Sequence, residues 1–324
     1  MIDVVNLTKT YKGGFKAVDS INFSVSEGEF FGFLGPNGAG KTTTMRILAT
    51  LDKPTAGKVE VDGFDVVKRP SEVRKRIGFA MQAVGLDNMA SAWENLMLMG
   101  QLYGLSATEA KSRSIELLDL FSLNEVADKF VSTYSGGMCR RLDLAVALMH
   151  KPAILFLDEP TEGLDPAGRR IIWKYLKDLN SKGMTIFLTT HYMDEADFLV
   201  DRLAIINKGR IAADGTPAHL KSQVGVSKLL MRIINPETAR SAICDTYQGI
   251  SCSEEDHTMI VDLTNGPAEV QHIFDILGKN NISIEEFELR SPSLEDVFIK
   301  FTGEHFEDEA PRYRDPYVAM NTRT

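Results

Sequence analysis

Cysteine is scarce in this 324-residue chain: Cys139, Cys244 and Cys252 are an odd set without metal-ligand spacing. That excludes a disulfide framework and a cysteine-built zinc site, and it fits a reducing compartment. Positive charge is also short. Lys and Arg number 36 against 45 Asp and Glu, a net charge of −9. Sequence-independent nucleic-acid binding relies on basic surface, so that class is disfavoured. No window reaches the roughly 18 uncharged apolar residues of a membrane span. The N-terminal MIDVVNLTKTYKGG lacks the basic-then-apolar pattern of a signal peptide. Sustained heptads and internal repeats are missing too. What remains is ordinary globular composition, 44% hydrophobic and 25% charged, at a length that suggests about two domains.

Short apolar runs open the chain (DVVNL, INFSV, EFFGFL) and read as strands. EFFGFLG leads into a Gly-rich loop, and TTTMRILATL continues at helical spacing. VEVDGFDV predicts a hairpin about Asp62-Gly63, SEVRKRI a short helix and IGFAMQ a strand. From about 86 to 135 the pattern is helical, an insert in an α/β domain. Alternation then resumes: helix 136–149, strand AILFLDEP, helix AGRRIIWKYLKDLNSKG, strand MTIFLTT, helix MDEADFL and strand RLAIINKGRIAADG. Strands alternating with helices predict a mostly parallel sheet. After about 225 the pattern restarts with strands SKLLMRII, HTMIVDL and ISIEEFELR and helices PETARSAICDTY, AEVQHIFDILGKN and SLEDVFIKF. The expected organisation is an α/β domain over 1–225, a small α+β domain over 226–302, and a polar, disordered or weakly docked tail over 303–324.

The Gly-rich loop is Gly35-Pro36-Asn37-Gly38-Ala39-Gly40-Lys41-Thr42, with Thr43 following. It fits the phosphate-binding pattern G-x-x-x-x-G-K-[ST] between a strand and a helix. Glycines let backbone N–H groups approach phosphate oxygens, and the helix start adds its positive dipole end. Lys41 supplies charge to the β- and γ-phosphates, and the Thr42 hydroxyl suits Mg²⁺.

Asp158 ends an apolar strand and Glu159 follows it. A carboxylate there can reach Mg²⁺, and the next one can orient or deprotonate an attacking water. Gln82, after strand IGFAM, is a neutral ligand for Mg²⁺ or water. His191, after TIFLTT, can donate to the γ-phosphate or to that water. Tyr11, in an early loop, can stack on a purine. Each of these three alone is more often an ordinary surface or packing residue. Ser135-Gly136-Gly137 looks like a second phosphate cradle, far in sequence from the first.

The ordered set Tyr11, GPNGAGKTT, Gln82, YSGGM, LFLDEP, GLDP (Gly163–Pro166) and His191 resembles the nucleotide-binding subunit of ABC transporters over roughly residues 1–222. YSGGM, RRLDLA and the closing SPSLEDVFIKFTG resemble its drug-export branch, the daunorubicin-resistance type. That resemblance implies a P-loop ATPase fold with an antiparallel β subdomain and an accessory C-terminal domain. It also implies two copies sandwiching two ATP molecules head to tail. Each ATP would sit on one copy's P-loop and be closed over by Ser135, Gly136 and Gly137 of the other, with Asp165 coupling the two sites. The cofactors would be ATP and Mg²⁺. A separate multi-span membrane permease would anchor the subunit at the cytoplasmic face and export a drug-like or hydrophobic compound. The helical insert would receive a coupling helix, with Trp93–Met99 partly facing it. Here Tyr134 and Met138 replace the signature's usual first Leu and last Gln. Competing readings are a soluble ATPase acting on nucleic acid or ribosomes, and an importer subunit. The single cassette, the acidic balance and the lack of heptads speak against the first; the signature variant and the C-terminal ending speak against the second.

Overall fold

The computed structural model describes residues 1–82, 84–253, 257–264 and 268–304. They form two compact units, dividing between Pro217 and Ala218.

The first unit opens with β1 (Ile2–Thr10), β2 (Lys16–Val25), β3 (Phe30–Leu34) and α1 (Lys41–Leu48). Next come β4 (Ala56–Val61), β5 (Phe64–Asp65), α2 (Pro70–Arg76) and β6 (Ile77–Ala80). The insert supplies α3 (Ala92–Leu102) and α4 (Ala107–Leu120). Each starts on a reciprocal capping box, Ser91 with Glu94 and Ser106 with Glu109. Then follow α5 (Gly136–Ala147), β7 (Ile154–Asp158), α6 (Pro166–Ser181), β8 (Thr185–Thr190), α7 (Met193–Leu199), β9 (Arg202–Asn207) and β10 (Arg210–Gly215).

Two sheets result. One is antiparallel in the order β2-β1-β4-β5; the other runs β10-β9-β3-β8-β7-β6, parallel except at β10. Strands β3, β7 and β8 are buried along their whole lengths. That is why FFGFL and ILFL read as near-continuous apolar runs and TIFLTT carries no charge, the mark of a parallel sheet covered on both faces. Phe23 of β2 stacks on Phe31 of β3 with ring centroids 5.6 Å apart and also meets Phe33 and Phe187, joining the two sheets in one core.

The parallel register sets the ends of these strands level. Leu34 lies opposite Thr190, Asp158 opposite Thr189, and Ala80 opposite Leu157. The residues that leave β3, β6, β7 and β8 therefore emerge at one edge, where α/β proteins bind ligands.

One sequence expectation is corrected. RLAIINKGRIAADG is a hairpin, not one strand, because Lys208 and Gly209 both take positive φ (48° and 77°) and turn the chain back. Helix α8 (Pro217–Val224) falls almost wholly in the second unit.

The second unit continues with β11 (Ser227–Arg232), α9 (Pro236–Ile243), β12 (Ile250–Ser253), β13 (Thr258–Leu263), α10 (Glu269–Lys279), β14 (Glu286–Arg290) and α11 (Leu294–Thr302). Its antiparallel sheet runs β12-β13-β11-β14. Alternate residues Met259, Val261 and Leu263 of β13 are buried in one cluster with Ile243, Ile273 and Leu277 of α9 and α10. Strand β12 was not expected from sequence; ISCS is short and half polar. Helix α11 has a Ser293–Asp296 capping box and ends on Gly303 at φ 71°. The expected tail lies outside the described residues beyond Glu304.

Candidate functional site

At the end of β3 the chain makes a loop that needs glycine at its two ends. A Cβ on Gly35 would stand 2.2 Å from the Ile206 carbonyl oxygen. One on Gly40 would stand 2.6 Å from that of Ala17, and Gly40 is left-handed at φ 109°. Helix α1 starts on Gly40 without a side-chain cap. Its first N–H groups thus keep no side-chain acceptor of their own, the condition for an anion site at a helix N-terminus.

Lys41 is 4% exposed. Its Nζ donates to the carbonyls of Gly35 (2.8 Å) and Pro36 (3.2 Å) and pairs with Glu159 Oε1 at 3.2 Å. Burial pushes the ammonium down in pKa, and Glu159 opposes that shift. Glu159 sits immediately past β7, with φ 49°, left-handed for a residue with a side chain. His191 Nδ1 lies 3.2 Å from its Oε2, without the alignment of a hydrogen bond. Burial pushes the Glu159 carboxyl up, but His191 and the Lys41 ammonium outweigh it and hold it at about 2.

Asp158 Oδ1 accepts hydrogen bonds from Thr42 Oγ1 at 3.2 Å and from Thr189 Oγ1. Burial pushes its carboxyl up, and the two hydroxyls oppose this. Thr42 and Asp158 thus offer adjacent hard oxygens. Among the described residues no group of three or more His, Cys, Asp or Glu could hold a metal ion. A cation here would share its shell with phosphate oxygens and water, the habit of Mg²⁺.

The structure therefore brings together Lys41, Thr42, Asp158, Glu159 and His191. Gln82 is exposed, and its amide donates to the Glu162 carboxylate. Tyr11 is exposed in a tight turn, its hydroxyl 3.5 Å from Asp52, which in turn pairs with Arg46 of α1 at 2.8 Å. Asn37 and Gly38 are exposed on the loop, Ala39 is buried and Thr43 half-buried.

The remaining candidates form a second group. Ser135 caps α5, its hydroxyl accepting from Met138 N–H at 3.3 Å, so the helix begins at Gly136. Asp165 caps α6 by accepting from Gly168 N–H at 3.0 Å. Ser135, Gly136, Gly137, Gly163 and Asp165 line one open groove. Tyr134, in place of the expected Leu, donates to the Val126 carbonyl at 2.7 Å and anchors the turn before the signature. Cys139 is half-buried, and burial pushes its thiol up, away from the reactive thiolate.

Three residues were missed. Thr189 holds Asp158. Glu195, fully buried, accepts from Thr161 Oγ1 at 2.7 Å and Trp173 Nε1 at 3.0 Å, tying the loop after Glu159 to α7. Arg140 of α5 reaches the backbone of that same loop. A signal for Arg140 was present: Arg140 and Asp143 share the helix face that carries Leu144 and Ala147, a charged pair on an apolar stripe.

Comparison with known proteins agrees with this geometry. Residues 18–162 match the ABC transporter family. A dimeric ATP-binding cassette solved in a post-hydrolysis state with ADP and Pi is 32% identical. It superposes with TM-score 0.61 over 67% of this chain and 98% of its own. The chain belongs to the ATP-binding proteins of ABC transporters, which bind and hydrolyse ATP. Residues 215–302 match the C-terminal domain of DrrA1-3-like ATP-binding proteins, the exporter type within that family. The daunorubicin/doxorubicin resistance ATP-binding protein DrrA of Streptomyces peucetius is 39% identical over 312 residues, 95% of this chain and 94% of that one. The linearmycin resistance ATP-binding protein LnrL of Bacillus subtilis (strain 168) is 36% identical over 312 residues, 95% of this chain and all of its own length.

Proposed function

We propose that this chain powers export of a drug-like compound as an ATP-sandwich dimer bound to a separate multi-span membrane subunit. One observation carries the ATPase part: Lys41, Thr42, Asp158, Glu159 and His191 converge where β3, β7 and β8 end level. The α1 N–H groups and Lys41 bind the β- and γ-phosphates of ATP. Tyr11 stacks on the base. Thr42, Asp158 and Gln82 would hold Mg²⁺, which when bound neutralises phosphate charge and polarises the γ-phosphoryl group. Glu159 is held ionised and can orient and accept a proton from the attacking water. His191 steadies Glu159 on one side and donates to the γ-phosphate on the other.

Ser135, Gly136 and Gly137 belong to a groove of their own. The α5 N-terminus is suited to a phosphate that does not sit on this chain's own P-loop, which is what a head-to-tail dimer supplies. Asp165, in the same groove, couples the two sites. ATP favours closure because its γ-phosphate binds both copies only when they are closed.

The subunit works at the cytoplasmic face through its partner; among the described residues no helix is long and apolar enough to cross a membrane. The site is lined by charge and backbone polar groups, suited to phosphates, so the membrane subunit recognises the compound. The resistance names of the two curated relatives support export over import.

Glu159→Gln tests the reading. The variant is expected to bind ATP, to lose turnover by about 100-fold or more, and to accumulate as a dimer on size exclusion. Normal hydrolysis would remove Glu159 from its assigned role.

A further inference from the structure

Helix α5 carries a charged pair inside the protein: Arg140 is 4% exposed and Asp143 6%. A buried guanidinium must find acceptors, and where it finds them shows what it holds. One partner is a carboxylate, with Nη1 donating to Asp143 at 3.1 Å. Four others are backbone carbonyls. Nε donates to Pro160 at 2.6 Å, Nη1 to Met81 at 2.5 Å, and Nη2 to Asp158 and Glu159, both at 3.2 Å.

Three of these carbonyls are consecutive, and the middle one belongs to Glu159. That residue is left-handed at φ 49°. A side chain with a Cβ stays in that region only where its surroundings over-determine it. Here the Glu159 N–H donates to the Thr189 carbonyl at 3.0 Å, and Arg140 takes the carbonyls on both sides and at the centre. The fourth carbonyl, Met81, directly precedes Gln82. The guanidinium is rooted in the helix whose first turn Ser135 caps.

We propose that Arg140 is a positioning residue that locks the left-handed turn aiming Glu159 and ties that turn to helix α5. Phosphate drawn to the N-terminus of α5 by Ser135 then bears on the aim of Glu159. The ATP held in trans and the water attacking the ATP held in cis are linked through one side chain. Only a planar fork with five donors serves these carbonyls at once; a lysine ammonium reaches fewer of them. The inference rests on Glu159 acting on the attacking water.

The test uses the full chain. Arg140→Met combined with Asp143→Asn removes the clamp without stranding a buried carboxylate. Turnover is expected to fall about 100-fold, the scale of a displaced catalytic group, while affinity for a fluorescent ATP analogue is unchanged. Arg140→Lys, which keeps the charge, is expected to show an intermediate loss. Asp143→Asn alone, which keeps all four carbonyl bonds, is expected to retain most turnover. Unchanged turnover in the double variant would overturn the proposal, as would parallel losses of affinity and turnover, which would make Arg140 merely structural. Should the double variant not fold, full activity in Arg140→Lys would overturn it equally. Glu159→Gln assayed alongside separates the cases: normal hydrolysis there defeats the site assignment itself, whatever Arg140 does.

Discussion

The two units have the same ingredients, a sheet with helices against it, and only one gathers chemistry. In the first, parallel strands β3, β7 and β8 run the same way and stop at the same level, so Lys41, Asp158, Glu159 and His191 meet at one edge. In the second, all pairings are antiparallel. Strands that are neighbours in this sheet end at opposite edges, so the chain leaving them is divided between the two. His257 and His272 illustrate the result. His272 meets the Tyr247 hydroxyl at 2.8 Å, and the His257 carbonyl accepts from Ile233 N–H at 2.8 Å. Both are held by local structure, and neither joins a constellation.

Matched core defects test that contrast most strongly. Phe187→Ala opens a cavity where four other phenylalanines meet and is expected to cost the first unit about 3–5 kcal/mol, with loss of nucleotide binding. Leu277→Ala, fully buried in the second unit, is expected to cost about 2–5 kcal/mol and leave ATP affinity as it was. Thermal melting with and without nucleotide reads both; a fall in affinity in Leu277→Ala would show the units to be energetically joined.

Acid sharpens the contrast next. Glu159 is held down from an ordinary 4.5 to about 2. Its contribution is thus complete above about pH 4.5 and is lost as pH falls toward 2. Measured by denaturant titration, the stability difference between the wild type and Glu159→Gln is expected to be on the order of 2 kcal/mol above that window and to shrink through it. A difference independent of pH would mean that the carboxylate is not held by Lys41 and His191.

A smaller effect distinguishes two serines with one local job. Ser135 caps α5 and Ser293 caps α11. Replacing either by alanine is expected to cost about 1 kcal/mol. Ser135→Ala alone should also lower ATP turnover. Equal ATPase rates in the two variants would reduce Ser135 to a cap.

What could be read from sequence follows the same division. The P-loop was legible because its residues are contiguous and its glycines obey a local rule. Asp158 and Glu159 were legible because an apolar run ends on them. Arg140 is legible only as a charge on an apolar helix face; its role is not, because that lies in carbonyls at 81 and 158–160, which any residue type would supply. The turn at Lys208-Gly209 was passed over because the apolar pattern continues on both sides of it. Strand β12 escaped because ISCS has too few apolar residues to show a period, although its pairing with β13 is regular.

Level strand ends also say where this molecule can change length. One residue added inside β3, β7 or β8 would advance one wall of the site by about 3.3 Å and turn every later side chain to the opposite face. Lys41 and Glu159, now 3.2 Å apart, would no longer meet. The same insertion between α3 and α4, on a surface turn far along the chain from any strand end, alters no register. Insertions and deletions in proteins of this design should therefore accumulate in the helical insert and at the opposite edge of the sheet, while the spans from Phe30 to Lys41 and from Ile154 to Glu159 keep a fixed count.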